Sequence, residues 1–305
     1  MIWLLMAILA YLILAIVFLI DKYLLGSGIP SPGLYAFYTG VLSIFVFLLA
    51  PFVDFFIPSF HGFLLAFLVG ALFIIALFWF YKALIIFEAS RVVPVVGALS
   101  PIFSFLIVFF FTQAREELVL LKGIAFLLLV SGSFFIAFEK TKVSFRSFLF
   151  SSIAAFFFSL FFILQKNLFE YMGSFWNSLI WMSIGSLFVA LVIYCFSQEV
   201  RSKALDRQKP QKKTFILFFV NKGLSGLGGL LQRSAIFLTP GFIEVPLIQG
   251  LQGMQYAFLF LMAWFFSKKF PKIMKEEISR KIIIKKSLAI LLISIGLTIL
   301  IFLEQ

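Results

Sequence analysis

The chain holds one cysteine, Cys195, and one histidine, His61. One cysteine excludes an internal disulfide and any cysteine-based metal site. His61 lies in a polar loop without metal partners nearby, so it reads as an exposed loop residue. Acidic residues are scarce, with 13 Asp and Glu against 25 Lys and Arg. Asp21, Asp54, Glu88, Glu139, Glu170 and Glu244 all fall in loops or at the ends of apolar runs. The lack of a deep carboxylate argues against proton antiport of the kind that depends on a membrane-embedded acid. There is no Ser/His/Asp set, no metal-ligand cluster and no phosphate-binding glycine loop in an aqueous segment. No enzymatic activity, metal or cofactor is therefore expected. Charged residues make up 12% of the 305 residues, about half the share usual in a soluble domain.

What the chain does contain is apolar sequence, at 63% of its residues. It comes in long runs rather than helical stripes or alternation, and runs of about 20 apolar residues match the hydrocarbon thickness of a bilayer. The expectation is an all-α integral membrane protein, because each span must satisfy its backbone hydrogen bonds internally. Ten spans can be read, at 2–20, 34–51, 63–87, 92–111, 119–138, 146–166, 174–197, 214–238, 243–266 and 284–303. The first span has no basic leader and no small-residue cleavage site, so it is expected in the mature fold. The net charge of +12 does not point to nucleic acid. The positive residues cluster in loops beside the spans, where they set topology or meet anionic lipid.

Short echoes recur along the chain. Ile20-Asp21-Lys22 returns as Leu164-Gln165-Lys166, and Val93-Pro94-Val95 returns as Val245-Pro246-Leu247. Lys122-Gly123 with Gly132 is echoed by Lys286-Ser287 with Gly296. The reading is two five-helix repeats, residues 1–140 and 141–305. An odd number of spans per repeat means that the halves insert in opposite directions, around a central cavity. About 20 of the 25 Lys and Arg fall in the loops after spans 1, 3, 5, 7 and 9. The positive-inside rule then puts those loops in the cytoplasm and both termini outside. The plasma membrane is the expected location.

Polar residues inside spans mark the candidate site. Span eight carries Lys222, Ser225, Gly229 and Gln232 at spacings of three and four, on one helical face. Lys222 is too deep for an unstrained lipid-facing lysine, so it points into a cavity or toward an anionic ligand, or else snorkels to the nearer surface. The glycines of span eight read first as helix-packing residues. Span nine carries Gln249, Gln252 and Tyr256 on one face, after Pro246. The matching first-half segment on span four offers Ser100, Pro101 and Ser104. Prolines there free backbone carbonyls for a ligand, or the two helices simply hydrogen-bond to each other. Trp79-Phe80-Tyr81-Lys82 at the end of span three reads as an interfacial belt, with Tyr81 and Lys82 also open to a functional role. Asp21-Lys22 and Gln165-Lys166 read as interfacial anchors.

With Ala83 to Pro101 across the turn between spans three and four, and Ala235 to Gly253 as its second-half match, the chain resembles the EamA group of the drug/metabolite transporter superfamily. The Lys122 to Gly132 stretch also looks like that family's fifth helix. The resemblance covers essentially the whole chain, and its motifs are degenerate. It implies a basket of helices around a cavity lined by spans three, four, eight and nine, moving small metabolites by alternating access. Tyr81, Ser100, Lys222, Ser225, Gln249 and Gln252 are then the substrate-binding candidates. One departure is that many relatives have cytoplasmic termini, the reverse of the charge pattern here. The expected partners are a small polar or anionic metabolite and membrane lipid. A lipid-linked carrier or flippase subunit, and a non-transporting interaction protein, are the competing readings. Neither the substrate nor the oligomeric state can be read from the sequence.

Overall fold

The computed structural model describes residues 2–27, 31–86, 89–111, 120–137, 145–205, 212–255, 258, 262 and 280–303. Tyr256, Glu88, Arg115, Glu139, Arg207, Lys209, Lys268, Lys269, Lys272 and Lys275 lie outside the described residues, as do the side chains of Lys22 and Pro94. The described residues are almost all helical, with eleven α-helices and no strand among them. They are α1 (Ile2–Ser27), α2 (Pro32–Ser43), α3 (Phe60–Ile86), α4 (Ala89–Phe111), α5 (Leu120–Ala137), α6 (Phe145–Met172), α7 (Phe175–Phe196), α8 (Gln198–Leu205), α9 (Lys212–Phe237), α10 (Glu244–Gly250) and α11 (Arg280–Leu303). A 3₁₀ helix, Ile44–Phe52, continues α2.

Among the described residues, five segments are long and apolar enough to cross a membrane: Ile2–Asp21, Pro32–Phe52, Phe60–Ile86, Phe145–Met172 and Phe175–Phe196. On α1, the exposed residues Ile2, Leu5, Leu9, Leu12 and Ile16 form a stripe at alternating spacings of three and four. Such an apolar face is unfavourable in water and stable against lipid. The protein is a membrane protein.

Local chemistry sets the helix ends. Ser31 caps α2, its Oγ accepting the Leu34 N–H at 3.4 Å, and Pro32 follows where its missing donor costs nothing. Ser174 caps α7 in the same way. The turn before it needs Gly173, whose φ of 61° is the left-handed conformation that glycine adopts without a Cβ clash. Helix α8 is an addition to the ten spans, in a stretch expected to be a basic connection. Its start is capped by the Ser197 hydroxyl, which accepts from the Val200 N–H at 3.3 Å. Glu199 in the first turn and Lys203 in the last suit the helix dipole and pair at 2.8 Å. The signal was present in Ser197, Glu199 and Lys203, but it is short beside the apolar runs.

The chain packs as two compact units, each built from both halves of the sequence. Unit 1 holds residues 1–21, 93–142 and 223–305, and unit 2 holds 22–92 and 143–222. In unit 2, α3 packs on both α6 and α7. The α3–α7 contact is backbone against backbone. A Cβ built on Gly70 would stand 2.8 Å from the Met182 carbonyl carbon and 2.9 Å from the Ser186 nitrogen. A Cβ on Gly185 would stand 2.7 Å from the Phe67 carbonyl carbon. The Ser186 hydroxyl donates to the Gly70 carbonyl at 3.0 Å. Small residues permit this approach, which lipid does not otherwise drive.

In unit 1, α5 packs on α11 through Gly132 and Gly296. A Cβ on Gly132 would meet the Ala289 oxygen at 2.9 Å, and one on Gly296 the Ala125 oxygen at 3.1 Å. The glycines of α9 behave otherwise. A Cβ on Gly228 would stand 3.0 Å from Leu14, but one on Gly223, Gly226 or Gly229 would meet nothing within 4 Å among the described residues. The packing role expected for span eight's glycines therefore holds at Gly228 alone.

Candidate functional site

Unit 2 surrounds the Lys222 ammonium with aromatic rings. Its Nζ lies 4.0 Å from the centroid of Tyr35, 5.5 Å from Phe218 and 5.7 Å from Tyr81. The rings come from α2, α9 and α3. Tyr35 is edge-on to Tyr81 at 4.7 Å and to Phe218 at 5.5 Å, the geometry that aromatic quadrupoles prefer. All three rings are buried, while Lys222 itself is half-buried. Negative ring faces stabilise an ammonium that has left bulk water. Tyr81 and Lys222, expected at one site, do come together, and Tyr35 and Phe218 complete the group. The apolar runs gave Tyr35 and Phe218, one turn before Lys222, no mark of their own.

Lys82 makes a looser arrangement. Its Nζ stands 4.6 Å from Trp79, 5.0 Å from Phe150 and 5.9 Å from Phe78. Two of those rings are on its own helix within one turn, and none is fully buried. Partly exposed rings beside a lysine are compatible with the interfacial belt expected from the sequence. Gln165 and Lys166 are not anchors of that kind: they are 0% and 3% exposed. The reason is the length of α6, which continues to Met172 and so leaves both residues inside the helix. Lys166 Nζ pairs with Glu170 at 3.3 Å.

Unit 1 gathers a chain of polar groups. The Tyr11 hydroxyl donates to the Ile248 carbonyl at 2.8 Å and accepts from Gln232 Nε2 at 3.2 Å. The Ser104 hydroxyl donates to Gln249 Oε1 at 2.8 Å. Gln255 Nε2 donates to the Leu14 carbonyl at 3.1 Å. Ser100 is buried one turn before Ser104, and Ser225 and Gln252 are half-buried. Of the expected site residues, Ser100, Ser225, Gln249 and Gln252 thus belong to unit 1, and Tyr81 and Lys222 to unit 2. Sequence reasoning missed Tyr11, which sits in an unbroken apolar run.

The Gln249 amide is half-used. The side chain is buried, and its Nε2 has no hydrogen-bond partner among the described residues. Exchanging the two ends of the amide would leave the oxygen orphaned instead, so the deficit does not depend on the assignment. An unpaired buried polar group costs about 1–3 kcal/mol. The helix also breaks here: α10 ends at Gly250, and the Leu251 N–H is shared between the Leu247 and Ile248 carbonyls at 3.1 and 3.2 Å. The Ile248 carbonyl therefore takes both a tightened backbone bond and the Tyr11 hydroxyl.

Glu244 opens α10, as a complement to its dipole. Its Oε1 accepts from Lys122 Nζ at 2.6 Å and its Oε2 from the Gly241 N–H at 3.1 Å. A small pocket beside this pair, lined by Phe105, Lys122, Gly123, Phe126, Ile243 and Leu247, has room for no more than about one water molecule. Among the described residues no group of three His, Cys, Asp or Glu could bind a metal.

No family model matches the chain, and no curated protein matches it. A solved structure described as "Crystal structure of protein" aligns over 99% of this chain and 96% of its own, with a TM-score of 0.67 and 16% identity. At that identity the likeness shows a shared fold alone.

Proposed function

We propose that the protein is a secondary transporter that moves small polar or anionic metabolites across the plasma membrane by alternating access, in the manner of the EamA-type transporters it resembles. The observation that carries this reading is the break in the ninth span. A helix interrupted at Leu251, beside a buried glutamine whose donor is unfilled among the described residues, is costly in a purely structural bundle. In transporters, interrupted helices at the membrane midplane supply the backbone and side-chain groups that hold a solute. The ten-span count and the inverted repeats belong to the same proposal. Gly132 and Gly296, which echo each other in the sequence, each take the backbone of the other's helix, as a two-fold relation between repeats would require. Lys222 and the Gln249 amide put charge and hydrogen-bonding capacity into apolar surroundings, which favours polar cargo over hydrophobic drugs.

The test is counterflow in sealed liposomes. The purified protein is reconstituted with a panel of preloaded polar and anionic metabolites, and uptake of each labelled form is measured. Accumulation of one class, lost in Gln249→Leu, is the expected result. Movement of headgroup-labelled lipid instead of solute would establish the flippase reading. Movement of neither would end the transport proposal.

A further inference from the structure

We propose that the rings of Tyr35, Tyr81 and Phe218 form a binding site for an organic ammonium, which Lys222 fills in this structure as a tethered occupant and from which an amine-bearing ligand displaces it. The proposal concerns binding and goes beyond the transport reading; it rests on that reading only for the idea that the ligand is cargo.

The geometry separates this site from an ordinary interfacial lysine. Lys82 lies over rings of which two are its own helical neighbours, and all are partly exposed. The rings around Lys222 come from three helices and are 0%, 4% and 5% exposed for Tyr35, Tyr81 and Phe218. They also brace one another edge to face. A second layer supports them: Tyr38 packs on Phe218 at 5.9 Å, and Phe80 on Tyr81 at 5.8 Å. Buried rings at 4.0 to 5.7 Å from one nitrogen reproduce the arrangement by which aromatic cages take alkylated ammonium groups.

Displacement leaves the charge inside the cage unchanged, because one ammonium replaces another. A buried cation therefore never meets an empty apolar pocket, and an anion gains nothing from the rings. Lys222 is half-buried and its four-carbon stem is flexible, so the ammonium has a route toward water. The ligand class is a small primary or quaternary amine.

Two measurements test this, with tetramethylammonium and ethylammonium as probes. In the first, Lys222→Met removes the tethered competitor while keeping an unbranched side chain. Binding is followed in detergent by intrinsic fluorescence at constant ionic strength. At least tenfold tighter binding than in the wild type is expected, and loss of that gain when Tyr35→Leu is added. In the second, the wild-type protein is treated with an amine-acylating reagent and labelling of Lys222 is read by mass spectrometry. Tetramethylammonium should raise that labelling several-fold over sodium, and acetate should not. The second measurement stands even if the variants fail to fold. Unchanged or reduced labelling of Lys222 by tetramethylammonium would overturn the proposal, as would equal affinity in a folded Lys222→Met protein. Neither result bears on whether the protein transports a solute.

Discussion

Adding one methyl group at Gly70 or Gly185 tests the tightest packing in unit 2. Both glycines sit where α3 and α7 touch through their backbones: an added Cβ would strike the Met182 or Phe67 carbonyl oxygen first, with backbone carbon and nitrogen atoms at 2.7 to 2.9 Å behind it. Ordinary carbon contacts are about 3.5–4.0 Å, so the helices must separate by about 1 Å. The backbone atoms struck belong to helix interiors and cannot rotate aside as a side-chain tip would. Overpacking of this kind costs about 1–3 kcal/mol. Separation also stretches the 3.0 Å bond from Ser186 to the Gly70 carbonyl, worth about 0.6 kcal/mol in a membrane helix pair. Alanine recovers up to about 1 kcal/mol in helix propensity. The net expectation for Gly70→Ala or Gly185→Ala is destabilisation by about 1–3 kcal/mol. Gly226→Ala and Gly229→Ala are the controls. Among the described residues nothing lies within 4 Å of either new methyl, so the propensity gain should stand alone, at about 0.5–1 kcal/mol of stabilisation. Equilibrium unfolding in SDS, followed by far-UV circular dichroism, compares all four. Equal midpoints for Gly70→Ala and Gly226→Ala would refute the backbone-contact account.

Three further outcomes follow from the polar groups. Tyr11→Phe leaves the Gln232 amide and the Ile248 carbonyl each short of one bond, and should cost about 1–2 kcal/mol; adding Gln232→Leu should recover part of that in the same unfolding assay. Lys122→Met strands the buried Glu244 carboxylate and should cost about 3–5 kcal/mol, whereas Lys122→Met combined with Glu244→Gln should cost clearly less than the sum of the single changes. Finally, the hydrogen bond from Lys203, aided by the Ser31 hydroxyl, holds the Glu199 carboxyl below its ordinary range. A lowered folded value means that the contribution is present above the unfolded pKa and fades as pH falls through the folded one. Acidification should therefore fray α8 before the spans, seen as earlier amide exchange at residues 199–203, and Lys203→Met should abolish that pH dependence.

Much of the fold was legible because its signals are local. Apolar runs, the Ser31-Pro32 start and the Gly173 turn act within a few residues, and each marks an element that forms. The 3₁₀ end of the second span and the break at Leu251 were less visible, because Pro51 and Pro246 announce a disturbance without saying where it falls. The candidate site was legible only in part. Lys222, Gln249 and Tyr81 stand out as polar groups in apolar segments. Tyr11, Tyr35 and Phe218 do not, since an aromatic residue in a lipid-spanning run is unremarkable until its neighbours are known.

The sequence alone determined that the chain is a helical membrane protein, because its length of apolar runs and poverty of charge leave lipid as the only solvent in which such helices are stable. It also determined which polar residues must be sheltered, since each carries its own desolvation cost. Tertiary structure decided what shelters them. The ammonium of Lys222 meets rings from three helices, Ser104 meets Gln249 across a separation of 145 residues, and the two Gln249 amide ends are left unequal. Those pairings depend on which helix faces are in contact, and apolar helices in lipid carry no periodic pattern that names their neighbours.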